Sequence, residues 1–344
     1  LNMAPAMMGN VAVWKPSTTA IHSNYFLMKV FREAGLPDGV VNFIPGQGSV
    51  IGKVITASRD LGGFHFTGST STFNTLWRQI GENLGHYKSY PKIVGETGGK
   101  NFIFVHPSAP ALEVATAIVR GAFEYQGQKC SAGSRAYIPA SLWKEVKDYV
   151  GDMLKEIKMG DVQDFTNFVN AVIDEASFDN IMSYIDYAKQ SPDAEIVFGG
   201  NGDKSVGYFV EPTVIRTTDP MFKSMVEEIF GPVLPMLPFD DIGEAVALIN
   251  DREKPLALYY FGPEMTGREV LLHTSSGGAC INDTIMQIAN DRLPFGGVGN
   301  SGMGRYHGHD SFDAFSLRRG VVESPARPDL PLRYPPYKGF RWVK

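Results

Sequence analysis

Cysteine is scarce in this chain of 344 residues: only Cys130 and Cys280 occur, far apart, with no Cys-x-x-Cys and no histidine spaced to complete a ligand set. That scarcity excludes a disulfide framework and a structural zinc site, and no other metal site is expected. A reducing compartment is the default: the cytoplasm, or the mitochondrial matrix in a eukaryote. Long apolar runs are lacking too. No stretch reaches the roughly 18 uncharged residues that a membrane-crossing helix needs. The opening LNMAPAMMGN has neither the basic nor the apolar region of a secretion signal. Positive charge does not dominate, since 32 Lys and Arg against 37 Asp and Glu leave a net charge of −5. A nucleic-acid groove or an anionic membrane surface would ask for the opposite sign, so a small-molecule partner fits better. There is no internal repeat and no low-complexity tract. An initiator methionine is also missing, and the chain enters at once the apolar Val11-Ala12-Val13-Trp14. It reads as a chain entered partway through a domain.

What is present is enough apolar material, 43% of residues against 20% charged, for two domains with cores. Residues 11–14 read as a buried strand, and Lys15-Pro16-Ser17 as the turn that ends it. Ser17 or Thr18 is expected to cap a helix that places Ile21, Tyr25, Met28 and Phe31 on one face and closes at Gly35. A strand at 40–44, a helix at 49–58, a strand at 64–67 and a helix from Gly68-Ser69 to Asn83 continue the alternation. A second alternation follows: strand 102–105, a long helix over 111–125, strand 135–138 and an amphipathic helix over 142–158. This pattern predicts an α/β protein, with ligands beyond the carboxyl ends of parallel strands. The division expected is a partial, N-terminally truncated doubly wound dinucleotide-binding domain over 1–98, an α/β catalytic domain over 99–310, and a tail over 311–344. The tail is rich in Pro and Arg from about Ser324, and is expected to wrap the surface or meet a partner subunit.

Two residues stand out chemically. Cys130 lies in the small, polar Gly127-Gln128-Lys129-Cys130-Ser131, where a thiol is accessible and Lys129 is placed to favour the thiolate. Locally, a buried and inert cysteine explains the residue equally well. Glu96 lies in Val94-Gly95-Glu96-Thr97-Gly98-Gly99-Lys100, after an apolar strand and beside glycines that admit close neighbours. A carboxylate there can activate water as a general base, although a lone glutamate before Gly-Gly is more often a solvated loop residue.

The pair changes that balance. GETGGKN followed by GQKCS, with glutamate and cysteine 34 positions apart, resembles the twin signatures of the aldehyde dehydrogenase superfamily. Trp14-Lys15-Pro16-Ser17, Phe66-Thr67-Gly68-Ser69, Glu228-Ile229-Phe230-Gly231-Pro232 and Pro294-Phe295-Gly296-Gly297 agree with it in the family's order. The resemblance implies an aldehyde dehydrogenase-like fold and NAD(P)-dependent oxidation of an aldehyde to a carboxylate. In that chemistry Cys130 would form a thiohemiacetal and then a thioester, and Glu96 would activate the hydrolytic water. It implies cofactor contacts from Trp14, Lys15 and Ser17, from Gly68 with Ser69 at a helix N-terminus, and from Glu228 with Phe230. No Gly-x-Gly-x-x-Gly precedes these strands, in keeping with this family. NAD is the expected cofactor. NADP stays open, because Thr18 stands where many NAD-preferring relatives carry a carboxylate. Without the other motifs, Gly68-Ser69 would be an ordinary helix cap.

The substrate signal divides. Residues 1 to about 215 resemble the pyrroline-5-carboxylate dehydrogenases, which oxidise glutamate semialdehyde. The carrying segments are Phe66 to Phe73, Gly121 to Ser131 and Asp203 to Thr213. From about Glu227 the wording resembles class 3 aldehyde dehydrogenases of fatty and aromatic aldehydes, through Arg252 to Tyr259, Thr274 to Gly278, Leu293 to Gly304 and Arg333 to Pro336. The first half implies a substrate-carboxylate site made by Ser131, Gly297 and Val298, although a plain turn serine explains Ser131 as well. The family is longer than this chain and carries an oxyanion asparagine upstream. Asn2 and Asn10 read as structural and not as its substitutes. Full-length relatives imply a homo-oligomer. An inactive fragment that binds nucleotide or subunits is the alternative to an active dehydrogenase. A cysteine hydrolase is disfavoured, since His106 and His86 are the nearest histidines in sequence.

Overall fold

Strands that are apolar along their whole length belong inside a sheet covered on both faces, and Phe102–Val105 and Ala257–Phe261 are such strands. In the computed structural model, which describes residues 1–324 and Pro335, they lie inside a seven-stranded sheet. Its order is Gly278–Ile281, Ala257–Phe261, Phe102–Val105, Arg135–Pro139, Val233–Phe239, Thr213–Thr217 and Ala194–Phe198. The first six run parallel, and only the last pairs antiparallel. Alternation along each strand sends side chains to opposite faces. Phe102, Phe104, Tyr137, Leu258 and Tyr260 pack with Ile181 and Ile185 of helix Glu175–Gln190. Ile103, Val105, Ala136, Ile138 and Tyr259 pack with helices Ala111–Phe123 and Ala140–Glu156.

The earlier strands form smaller sheets. Ala12–Trp14 runs parallel to Val41–Phe43, around a core of Ala12, Met28 and Val41. Gly63–Thr67 runs parallel to Lys92–Glu96, and Gly302–Met303 returns from far along the chain to pair antiparallel with Glu96 and Gly95. Among the described residues no hydrogen-bonded strand joins these two sheets. The expected α/β architecture is present, with its parallel strands in the first part split between them. Of the tail expected over 311–344, residues 311–324 are described and begin within the short helix Gly308–Ala314; the sequence from residue 325 onward lies outside the described residues apart from Pro335.

Two local expectations are corrected. Ser17 does not cap the first long helix: its Oγ lies 3.1 Å from Thr19 Oγ1, and a 3₁₀ turn over Thr18–Ala20 leads into Ile21–Glu33. The helix expected to reach residue 125 ends at Phe123, because Tyr125, Gln126 and Gly127 take φ of 55°, 57° and 63°. Three left-handed residues cannot continue a right-handed helix. At Gly127 the backbone passes so close to the carbonyls of Gly231 and Ala122 that a Cβ has no room. This reversal starts the cysteine loop.

His65, on Gly63–Thr67, stands edge-on to Tyr306 with ring centroids 4.9 Å apart, and both its nitrogens are shielded and unpartnered. Burial pushes its pKa down from 6.5 to about 4. Between those values the unfolded chain binds more protons than the folded one, so stability contributed by neutral His65 is complete above the upper value and is lost as pH falls toward the lower. The urea midpoint is therefore expected to drop across that window, and to drop less in His65→Phe. Equal pH slopes in the two proteins contradict this assignment.

Candidate active site

Glu96 ends its strand with a side chain only 2% exposed, so it is not the solvated loop carboxylate that a Gly-Gly neighbour suggests. Cys130 sits in the loop between the left-handed turn and strand Arg135–Pro139, and its Sγ donates to Glu96 Oε1 at 3.0 Å. Asn101 holds the loop: its Nδ2 donates to the carbonyls of Cys130 at 2.7 Å and Ala132 at 2.8 Å, while its Oδ1 accepts from the Ala257 N–H at 2.9 Å. The second oxygen of Glu96 accepts from the Tyr306 hydroxyl.

Burial lifts the Cys130 thiol far above the usual thiol range, and the negative charges of Glu96 and Glu228 push the same way. Burial also raises the Glu96 carboxyl, while the bond from Cys130 opposes that shift. The lifted thiol holds its proton on sulfur and donates it to Glu96 Oε1. The expected help from Lys129 is absent, because its ammonium faces Glu124 Oε2 at 3.3 Å.

Of the residues expected at a cofactor, Glu228 and Phe230 line a crevice beside the cysteine loop together with Gly99 and Lys129. Gly98 leaves no room for a Cβ against the Glu228 carboxylate, and Thr70 Oγ1 lies on the same side. Phe230 has φ of 57°, a strained backbone for a bulky residue. Ser69 caps helix Thr70–Glu82 by accepting from the Thr72 N–H at 3.3 Å, and Gly68 precedes it. Trp14, Lys15 and Ser17 belong to the separate two-stranded unit. There Trp14 packs on Phe43, Lys15 Nζ approaches Gly48 at the start of helix Gly48–Thr56, and Ser17 is exposed.

The residues expected at a substrate carboxylate are less open. Ser131 is 1% exposed, and its carbonyl accepts from Tyr259 Oη at 2.5 Å. The Val298 N–H donates to Ser301 Oγ at 2.8 Å, and the Gly297 carbonyl accepts from Arg305 Nη1 at 2.5 Å. No hydrogen bond links Ser131 to this loop among the described residues. Asn10 Nδ2 donates to the Pro5 and Phe315 carbonyls, whereas Asn2 Nδ2 is buried without a partner. Asn101 and Tyr306 were not singled out as site residues. Asn101 stood within the quoted GETGGKN, but Tyr306 meets Glu96 across 210 positions with no motif to mark it. Among the described residues no cluster of three or more His, Cys, Asp or Glu could hold a metal ion, and no helix is long and apolar enough to cross a membrane.

A half-buried thiol hydrogen-bonded to a buried carboxylate, beside a crevice carrying Glu228 and Phe230, pairs a sulfur nucleophile with a proton acceptor. Residues 1–321 match the model of the aldehyde dehydrogenase family, and the chain belongs to that family. It is 49% identical over 310 residues to the mitochondrial delta-1-pyrroline-5-carboxylate dehydrogenase of Dictyostelium discoideum, covering 88% of this chain and 56% of that protein. A match of that length necessarily runs past residue 227. Among solved structures, the Mycobacterium tuberculosis delta-pyrroline-5-carboxylate dehydrogenase bound with NAD superposes with a TM-score of 0.79 at 39% identity, over 86% of this chain and 55% of that one. The substrate-bound Staphylococcus aureus AldH superposes with a TM-score of 0.86 at 31% identity, over 98% and 71%. The chain thus spans little more than half the length of the curated relatives it matches.

Asn101→Ala leaves two buried carbonyls and one N–H without partners, so it is expected to lower unfolding stability by about 1–3 kcal/mol. Urea titration checks this, and an unchanged midpoint would contradict the role given to Asn101.

Proposed function

We propose that this chain carries the nucleophile and base of an NAD-dependent oxidation of L-glutamate γ-semialdehyde to glutamate. The observation that carries the chemistry is the 3.0 Å contact between Cys130 Sγ and Glu96 Oε1. The substrate class is supported by 49% identity to the Dictyostelium delta-1-pyrroline-5-carboxylate dehydrogenase.

Glu96 takes the thiol proton, and the sulfur attacks the aldehyde carbon. The C–S bond forms as the carbonyl oxygen becomes an alkoxide, which gives the thiohemiacetal. NAD, when bound, would supply the hydride acceptor; with the hydride gone from that carbon, the carbonyl reforms and Cys130 holds the acyl group as a thioester. Glu96 releases its first proton to solvent and then takes a proton from water as the oxygen attacks the thioester. Departure of the Cys130 thiolate frees the carboxylate product, and reprotonation restores the thiol.

The residues present fit such a cofactor. Glu228 and Phe230 line a crevice at the cysteine loop, glycines give the Glu228 carboxylate its space, and Thr70 at the start of helix Thr70–Glu82 lies on the same side. Glu228 and Phe230 would hold the nicotinamide ribose, the N-terminus with Gly68 and Ser69 the pyrophosphate, and Trp14, Lys15 and Ser17 the adenosine side. Exposed Thr18 carries no charge to repel a 2′-phosphate, so NADP is a second candidate. Ser131 with the Gly297-Val298 loop is the candidate carboxylate site, and its use requires that loop to release the Val298 N–H from Ser301. Association into a homo-oligomer, and in a eukaryote a place in the mitochondrial matrix, follow the same reading.

Mixing the chain with NAD⁺ and glutamate semialdehyde is expected to produce reduced cofactor at a higher kcat/KM than with hexanal or benzaldehyde. Preference for hexanal would overturn the substrate, and no signal from folded protein with any aldehyde would overturn the activity. Cys130→Ala should abolish turnover. Glu96→Gln should slow steady-state turnover about 10²–10⁴-fold, the usual worth of a general base.

A further inference from the structure

Tyr306 lies 210 positions along the chain from Glu96, yet the two side chains meet. Glu96 accepts from Cys130 with Oε1 and from the Tyr306 hydroxyl with Oε2, so neither carboxylate oxygen lacks a donor. Tyr306 is itself firmly placed. Its backbone exchanges two hydrogen bonds with Phe295, at 2.8 and 2.9 Å. Its ring stands edge-on to Phe295, His65 and His307, with centroids 5.5, 4.9 and 5.0 Å away. Strand Gly302–Met303, pairing with Glu96 and Gly95, fixes the approach of this segment.

We infer that Tyr306 is the positioning residue for Glu96, holding one carboxylate oxygen while the other exchanges protons first with the Cys130 thiol and then with water. The inference rests on the dehydrogenase reading above for its use, though not for its geometry. Once sulfur is acylated, Cys130 has no proton to donate and Glu96 Oε1 loses its donor. The Tyr306 hydroxyl then remains as the bond that keeps the carboxylate from rotating away from the thioester. Because the phenol donates to the ionised form, it also favours carboxylate over carboxylic acid. The other titratable groups around the pair are the Cys130 thiol, Glu228 acting on that thiol, neutral His65 on one side of the Tyr306 ring, and His307, edge-on to that ring and stacked on Phe295. The Arg305 guanidinium is turned to the carbonyls of Gly297 and Gly304.

Two readouts test this. The first needs no turnover: infrared difference spectra follow protonation of the Glu96 carboxyl, assigned by its loss in Glu96→Gln. Tyr306→Phe is expected to move the midpoint to higher pH, and 3-fluorotyrosine at position 306, a stronger donor of nearly the same shape, to lower pH. Midpoints that stay in place in both proteins overturn the inference. The second is kinetic. Tyr306→Phe should keep the first-turnover burst of reduced cofactor, lower the steady-state rate about tenfold through slower thioester hydrolysis, and shift the acid limb of the rate upward. In a Glu96→Gln background the same change should have no further effect, and an additive loss overturns it. If the infrared midpoint shifts while no aldehyde is oxidised, the positioning role stands and the proposed function falls.

Discussion

The site depends on one contact, the hydrogen bond between a half-buried thiol and a buried carboxylate. An ionised carboxylate without partners would carry a large desolvation cost there. Glu96 meets it with two donors, the Cys130 thiol and the Tyr306 hydroxyl. Cys130 is fixed by Asn101, which also ties the cysteine loop to the start of strand Ala257–Phe261 in the seven-stranded sheet. Carboxylate, thiol and phenol come from three stretches of chain: backbone pairing places Glu96 and Tyr306, and the Asn101 side chain holds the cysteine loop.

That arrangement explains how segments far apart in the sequence share one site. The Glu96 strand pairs with Gly302–Met303, and Tyr306 follows directly. The cysteine loop turns at Gly127 because its backbone lies against Gly231, in the segment that carries Glu228 and Phe230. Both crossings are needed for the site to form. Glycine at Gly127, Gly98 and Gly302 is demanded by close approach to the opposite part, whichever aldehyde the protein accepts.

Much of this was legible in the sequence, for physical reasons that differ by element. Phe102-Ile103-Phe104-Val105 announces a doubly covered strand because four consecutive apolar residues have no solvent face to present. Cys130 and Glu96 were legible as a pair of motifs. The end of helix Ala111–Phe123 was not, because Tyr125 and Gln126 adopt left-handed φ without being glycine, a conformation set by surrounding packing. Ser17 was misjudged as a cap because a hydroxyl at a helix start can bond a neighbouring side chain instead, here Thr19. The enclosure of Ser131 beneath Tyr259, and the reach of Tyr306 to Glu96, are tertiary contacts with no local trace.

The central claim is that burial, reinforced by the negative charge of Glu96, keeps the proton on Cys130 until substrate arrives. Its most direct test is the pH dependence of Cys130 alkylation by iodoacetamide, read on the Cys130 peptide by mass spectrometry so that Cys280 does not contribute. Removing the charge in Glu96→Gln is predicted to shift the alkylation midpoint to lower pH and to speed labelling at neutral pH. An unchanged or higher midpoint would contradict the account, because it would mean that Glu96 does not hold the thiol in its protonated form.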